Sequence, residues 1–318
     1  MQSFTNVKIS EIQVFDVRVP TALYQIGSDA MHTNPDYSCA YVVVKTDNPT
    51  LEGYGLTFTL GKGTDVVVQC VKTQSELVIG KTIKEIFDDY PSFYRLLTSE
   101  PQLRWIGPEK GVVHLSTAAI VNAIWDLYCK CNDKPLWKLI TDMTPETLVG
   151  LIDFRYLSDA LTKEEALAML KALEPTKQKR EREMLEKGFP AYTTSAGWLG
   201  YSDEKISRLC KEALEEGFTH IKIKVGQDIN DDIRRCKLIR EIIGPNRRLM
   251  VDANQRWDVP QAIEYVPHLV ELYINKAEIK NSHYQCPSSP GYGCGLTKEA
   301  IQEYEYPNGS YWRKLQKH

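Results

Sequence analysis

One stretch restricts the fold more than any other: between residues 202 and 254 the hydrophobic period switches from helix to strand, then to helix and strand again. Ile206, Leu209, Cys210, Ala213 and Leu214 mark a helical stripe, with Ser202 at the N-cap, Asp203 and Glu204 in the first turn and Gly217 at the end. HIKIKVG (220–226) then alternates with the period of a strand. Helical spacing returns with Ile229, Ile233, Cys236 and Ile239, and Gly244-Pro245 stops it. RLMVDAN (248–254) is a further strand before a helical stretch to about residue 272, and FPAYTTSAGW reads as an earlier strand near 191–197. Strands separated by single helices lie parallel, because each helix carries the chain back across the sheet. Functional side chains then gather at the carboxyl ends of the strands.

The earlier residues follow an α+β plan. Val7, Ile9, Ile12, Val14 and Val17 alternate, and CAYVVVKTDNPTLEGYGLTFTL supplies two more strands, with Asp47-Asn48-Pro49 and Gly53 as turn chemistry between them. These strands predict a three-stranded antiparallel meander, interrupted by a polar loop over 20–37. Helical periods follow at 64–79, 83–98 and 115–131. The last carries one apolar stripe of Ile120, Ala123, Ile124 and Leu127 and ends at Asn132 and Pro135. A charged helix over 162–187 opens with the capping box Thr162-x-x-Glu165.

Composition excludes several classes. With 42% hydrophobic and 25% charged residues the chain is neither disordered nor fibrous. A net charge of -3 gives no pull toward nucleic acid, and no apolar run approaches the ~18 residues of a membrane span. The eight cysteines form no C-x-x-C pair, which points to reduced thiols rather than a zinc clamp. The N-terminus has no signal-peptide core and is not Arg-rich, so a transit peptide is expected to be very short or absent.

Lys222 and Lys224 stand two apart on a strand, so both ammonium groups point to one face. On an edge strand they would face water and guard against aggregation. The next strand favours another role, because it ends with Asp252 and then Asn254 at the carboxyl end. Inside a closed barrel two unpaired ammonium groups are costly, and an anionic ligand or metal-bound carboxylates would have to pair them. Repulsion between two such lysines lowers the pKa of one and makes it a usable base.

The Lys-x-Lys strand followed one unit later by VDANQ resembles the mandelate racemase branch of the enolase superfamily. AIWDLYCKCNDKPLWKLI (123–140) is similar to the segment joining that superfamily's cap domain to its barrel. GSDAMHTNPDYS, LRWIGPEKGVVHLSTAA, IDFRYL and AYTTSAGWLGYSD resemble the L-fuconate dehydratase family within the branch, and the likeness runs over roughly residues 7–270. It implies an α+β cap domain over 1–140 followed by an incomplete α/β (TIM-type) barrel domain over 141–272, then an aberrant junction and tail over 273–318.

The resemblance also implies an activity. Mg²⁺ binds the carboxylate of an acid sugar, a base removes the proton α to it, and water leaves from the next carbon. L-Fuconate would give 2-keto-3-deoxy-L-fuconate. By the same resemblance Lys224 is the base, and Lys222 contacts the substrate carboxylate and lowers the pKa of Lys224. Asp252 is a Mg²⁺ ligand, and Asn254 either bonds substrate or caps the following helix. The loop Gly27–Tyr37 corresponds to the one that closes the barrel mouth, with Gly27, Ser28, Asp29 and Tyr37 as substrate contacts and His32 as an ordinary loop residue. The implied partner is a small acid-sugar substrate, with no nucleic acid and no membrane, and assembly into a homo-oligomer stays open. The family's location is mitochondrial, with the cytoplasm as the alternative where no transit peptide is clear.

The chain also departs from that family. A complete barrel takes eight strands and about 250 residues, whereas Phe189–His318 is roughly half as long with three clear strands. The family's Trp-Ile-Glu-Glu-Pro segment, its Gly-Glu-Gln segment with the third metal ligand and its late acid histidine have no counterparts. Glu278 falls near the expected second ligand, but its context AEIKN lacks the Pro. PGYGCGLTKEAIQEYEYPNGSYWRKL nevertheless resembles the family's C-terminus, so an internal deletion joining the third barrel strand to the tail accounts for both facts. The expectation is an inactive chain of the L-fuconate dehydratase family. The alternatives are another acid-sugar dehydratase or epimerase of the superfamily, and a non-catalytic isoform that binds partner subunits through its cap.

Overall fold

The structure is a computed structural model that describes residues 6–107, 111–188 and 191–270, together with the paired segments Ile279–Lys280 and His283–Tyr284. Glu278 and the segment from residue 285 onward lie outside the described residues. The chain divides into two compact units: residues 1–21 with 35–189, and residues 22–34 with 190–318.

The first unit opens with β1 (Ile9–Arg18), β2 (Ser38–Thr46) and β3 (Glu52–Thr59), an antiparallel meander in that order. Period-two alternation turns Val42 and Val44 inward and sets Val14 against Val42 and Val42 against Gly55. Asn48 makes the β2–β3 turn, where its carbonyl accepts from Leu51 N and its side chain from Thr50 N. Gly53 is not a turn residue. It lies inside β3, where helix α4 comes too close for any side chain. The helices are α1 (Thr64–Ser75), α2 (Ile83–Asp88), α3 (Tyr90–Thr98) and α4 (Val112–Cys131), then α5 (Leu136–Asp142), α6 (Pro145–Gly150), α7 (Lys163–Leu173) and α8 (Lys177–Lys187).

Two expected helices are broken, each for a local reason. The period over 83–98 contains Asp89 and Pro91; Asp89 Oδ1 accepts from Ser92 N at 3.2 Å and starts a new helix, whose first turn tolerates the proline's missing N–H. The charged stretch 162–187 begins with the expected Thr162–Glu165 capping box, but Pro175 divides it into α7 and α8. The expected helix over 64–79 stops at Ser75.

Helix α4 organises this unit. Its stripe of Ala119, Ile120, Ala123, Ile124 and Leu127 is fully buried in a core with Ile9, Val42, Val44 and Val71. Gly53 and Gly55 allow the approach: a Cβ on Gly53 would stand 2.2 Å from Ala123 O, and one on Gly55 2.3 Å from Ala123 N. A second stripe on the same helix, Asn122, Asp126 and Lys130, bonds Leu56 O, Tyr54 N and Glu52 O along the open edge of β3. Backbone groups that would otherwise recruit another strand are thereby satisfied. Among the described helices α4 alone is long and apolar enough to cross a membrane. Its stripe of Ala119, Ile120, Ala123, Ile124 and Leu127 is committed to the core.

The second unit holds α9 (Asp203–Glu215), β4 (His220–Lys224), α10 (Ile229–Ile243), β5 (Arg248–Asp252) and α11 (Val259–Val270). Ser202 caps α9 as expected, accepting from Lys205 N. Strands β4 and β5 are parallel, pairing His220 with Arg248 through Lys224 with Asp252. Ile221 and Ile223 are fully buried in a core with Ile206 and Cys210 of α9 and with Cys236, Ile239 and Ile243 of α10.

The strand expected near 191–197 is reduced to one parallel bridge, Thr193 to Ile221. Thr193 N donates to His220 O and Thr193 O accepts from Lys222 N, but Thr193 Oγ1 then accepts from Ser195 N and Gly197 N donates to Thr194 O, so the segment lies along β4 without a regular strand. Beyond β5 the α11 side chains of Val259 and Ile263 stay mostly exposed.

The glycine approach is testable. Gly53→Ala is expected to cost about 2–3 kcal/mol of stability, read as a lower urea midpoint. A loss under about 0.5 kcal/mol would show that α4 moves aside freely.

Candidate active site

The alternation that buries Ile221 and Ile223 sends Lys222 and Lys224 to the other face of β4, and the register places Lys224 beside Asp252. Lys222 Nζ donates to Asp252 Oδ2 at 3.1 Å and Lys224 Nζ to the same oxygen at 2.8 Å. Lys224 Nζ also reaches Asn254 Oδ1 at 2.6 Å. The site is half-enclosed, with side-chain exposures of 11% for Lys224, 20% for Lys222 and 30% for Asp252.

Burial raises the Asp252 carboxyl, but the bonds from Lys224, the Asn254 amide and Lys222 outweigh it and hold the pKa at about 2. Burial lowers Lys222, and its bonds to Asp252 and Tyr192 outweigh that and leave its pKa raised. The shared carboxylate between the ammonium groups therefore governs Lys222 more than their mutual repulsion does.

Asn254 does not cap α11. Its φ of 49° is left-handed, a conformation asparagine tolerates, and its N–H donates to Asp252 Oδ1 at 3.0 Å. Asp258 and Gln261 cap α11 reciprocally instead. Tyr192 is a neighbour the alternation pattern could not reveal: its Oη accepts from Lys222 Nζ at 3.3 Å, and the ammonium lies 5.0 Å from the ring centroid.

The loop residues 22–34 belong to this unit. Ser28 O accepts from Leu199 N, Tyr24 O accepts from Lys205 Nζ, and a Cβ on Gly226 would lie 3.5 Å from that of Ala30. The loop thus rests against the turn that follows β4. Gly27, Ser28 and Asp29 are buried in it. Ser28 Oγ donates to Thr33 O, and Asp29 Oδ1 accepts from the Met31 and His32 amides, so both side chains hold the loop's own shape. Tyr37 belongs to the first unit, where its ring meets Phe58 edge-on.

Magnesium requires several hard oxygen ligands in near-octahedral order. Among the described residues no three His, Cys, Asp or Glu side chains come together. Asp252 Oδ2 is moreover shared by two ammonium groups. The described residues do not fit a tightly bound Mg²⁺.

Residues 205–277 match the family described as Enolase C-terminal domain-like. Mitochondrial enolase superfamily member 1 of Bos taurus is 58% identical over 266 residues, covering 83% of this chain and 60% of that protein. L-Galactonate dehydratase of Hypocrea jecorina is 47% identical over 305 residues, covering 94% of this chain and 66% of that protein. The crystal structure of human mitochondrial enolase superfamily member 1 superposes with a TM-score of 0.83 at 37% identity, over 98% of this chain and 99% of that one. L-Talarate dehydratase from Polaromonas sp. JS666, solved with Mg and L-glucarate, shares the fold at a TM-score of 0.53 and 20% identity, over 84% of this chain and 57% of that one.

An α+β domain followed by part of an α/β barrel is the fold shared with these relatives. The chain belongs to the enolase superfamily. By sequence it spans about 60% of the curated relatives it matches first.

The depressed carboxyl sets a pH dependence. Because the folded-state pKa of Asp252 lies below its ordinary 3.8, its contribution is whole above about pH 4 and is lost as pH falls through about 2. Asp252→Asn is expected to flatten that acid limb by about 1 kcal/mol after solvent screening. Urea unfolding at stepped pH measures it, and an unchanged acid limb would show that the two lysines do not hold this carboxylate.

Proposed function

We propose that Lys222, Lys224 and Asp252 form the proton-abstraction half of an acid-sugar dehydratase site of L-fuconate type, and that this chain itself does not turn that substrate over. The convergence of two lysines on one carboxylate at parallel strand ends carries the reading. Lys224, in its neutral form, takes the proton α to the sugar carboxylate, and the electron pair passes into that carboxylate to give an enediolate. The Lys222 ammonium lies beside the developing charge. A hydroxyl then leaves the next carbon with a proton from an acid, and the enol becomes 2-keto-3-deoxy-L-fuconate. Gly27, Ser28 and Asp29 stand in this proposal as substrate contacts of the loop, with Asn254 as polar neighbour of the base and Asp252 as the family's metal ligand.

The relatives' names support the class. One is an L-galactonate dehydratase, and L-fuconate is L-galactonate without its 6-hydroxyl, so the two acids share their C2–C3 stereochemistry. The name carried by the animal relatives supports a mitochondrial location. The reading of inactivity is supported by what the described residues supply: a proposed base and a neighbouring cation, without the group of carboxylates that a metal requires. The intact core of the first unit favours a second reading, a non-catalytic chain that joins partner subunits.

With saturating Mg²⁺ the purified chain is expected to release no 2-keto acid from L-fuconate, measured as the semicarbazone. Turnover that Lys224→Ala abolishes would overturn inactivity, and turnover of a different acid sugar alone would overturn the substrate. In a full-length relative, alanine at the lysine aligned with Lys224 is expected to abolish α-proton exchange in deuterated water, and retained exchange refutes the base.

A further inference from the structure

We propose that Arg235 and Asp232, on the first turns of α10, are positioning residues that clamp the backbone from which Lys224 projects. Both side chains are almost fully buried, at 2% and 0% exposure. Their closest approach is 3.8 Å, longer than a pair optimised for mutual contact, and Arg235 Nε and Asp232 Oδ1 have no hydrogen-bond partner. The charges are aimed instead at main-chain groups. One Arg235 amino group donates to Lys224 O at 2.8 Å, and the other to Gly197 O at 3.1 Å and Trp198 O at 3.0 Å. Asp232 Oδ2 accepts from Gly226 N at 2.6 Å.

These bonds bracket the carboxyl end of β4. Lys224 N already donates to Gly197 O, and Val225 N to Asp252 O. Arg235 therefore closes a ring through Lys224 and the 197–198 turn, at the point where the neighbouring segment fails to form a regular strand. A buried ion pair is seldom the most stable filling for a core, because desolvation consumes much of the Coulomb gain. What the pair supplies here is a fixed backbone angle at residues 224–226, which sets where the Lys224 ammonium meets Asp252 and Asn254. Its bearing on catalysis rests on the role proposed for Lys224. The clamp itself does not.

Trace acetylation of the full chain with acetic anhydride, mapped by peptide mass spectrometry, tests the clamp without any turnover. Losing even one of the three charge-assisted hydrogen bonds from Arg235 makes local opening about tenfold more frequent. Arg235→Gln is therefore expected to raise Lys224 acetylation about tenfold while Lys205 of the same unit keeps its wild-type rate. Arg235→Lys keeps the cation but not the fork, and is expected to fall between the two. Arg234→Gln, which removes an exposed pair with Asp203, leaves Lys224 unchanged. Equal acceleration of Lys205 and Lys224 would reduce Arg235 to general stabilisation and overturn the proposal, as would an unchanged Lys224. If Arg235→Gln does not fold, the same comparison in Arg235→Lys decides.

Discussion

Asp252 is the charge around which the candidate site is arranged, because one of its oxygens accepts from both Lys222 and Lys224. At an effective dielectric near 20 a carboxylate oxygen 3.1 Å from one ammonium and 2.8 Å from the other attracts each by about 5 kcal/mol, a total larger than their mutual repulsion. The attraction wins before desolvation is counted, and the partial exposure of Asp252 and Lys222 limits that cost. A strand carrying two lysines on one face can consequently sit beside another strand end without expelling its charges. The same arrangement raises Lys222 and depresses Asp252 together. As it stands the cluster is a closed ion pair, and an acid-sugar carboxylate would have to compete with Asp252 for the ammonium groups.

The two units meet their structural demands differently. In the first, a single helix covers a sheet face and a sheet edge at once, because its apolar stripe and its polar stripe lie side by side. Two glycines in β3 allow this, by removing the side chains that would hold α4 away. In the second, two parallel strands and the helices α9 and α10 bury a core around Ile221 and Ile223. The exposed Val259 and Ile263 on α11 show how much apolar surface remains uncovered among the described residues.

Membership of the superfamily and the length of the match lead to different statements about chemistry. The lysine strand and the Asp252 strand pair in parallel and meet through Lys224 and Asp252. The relatives are longer than the region matched, and the described residues bring one carboxylate to the lysine pair where a metal needs several. In a barrel each strand contributes its own carboxyl end, so a lysine pair and further carboxylates can stand on different strands.

Periodicity alone determined the meander, the α4 stripe, the parallel pair β4–β5 and the common face of Lys222 and Lys224, because those follow from repeats of two and 3.6 residues within short windows. Caps at Thr162 and Ser202 were legible for the same local reason. The breaks at Asp89 and Pro175 were also written locally, but a continuous apolar or charged period obscured them. Tertiary structure decided what no period encodes. It made Gly53 a contact with α4 rather than a turn, turned Ser28 and Asp29 into the loop's own framework, and let Thr193–Gly197 follow β4 through turns rather than as a regular strand. It also brought Tyr192 to Lys222 and Arg235 to the carbonyl of Lys224, pairings across 30 and 11 residues. A hydrogen bond between groups so far apart in the chain depends on where the backbone has already been placed, and that placement comes from burial of side chains that carry none of the chemistry.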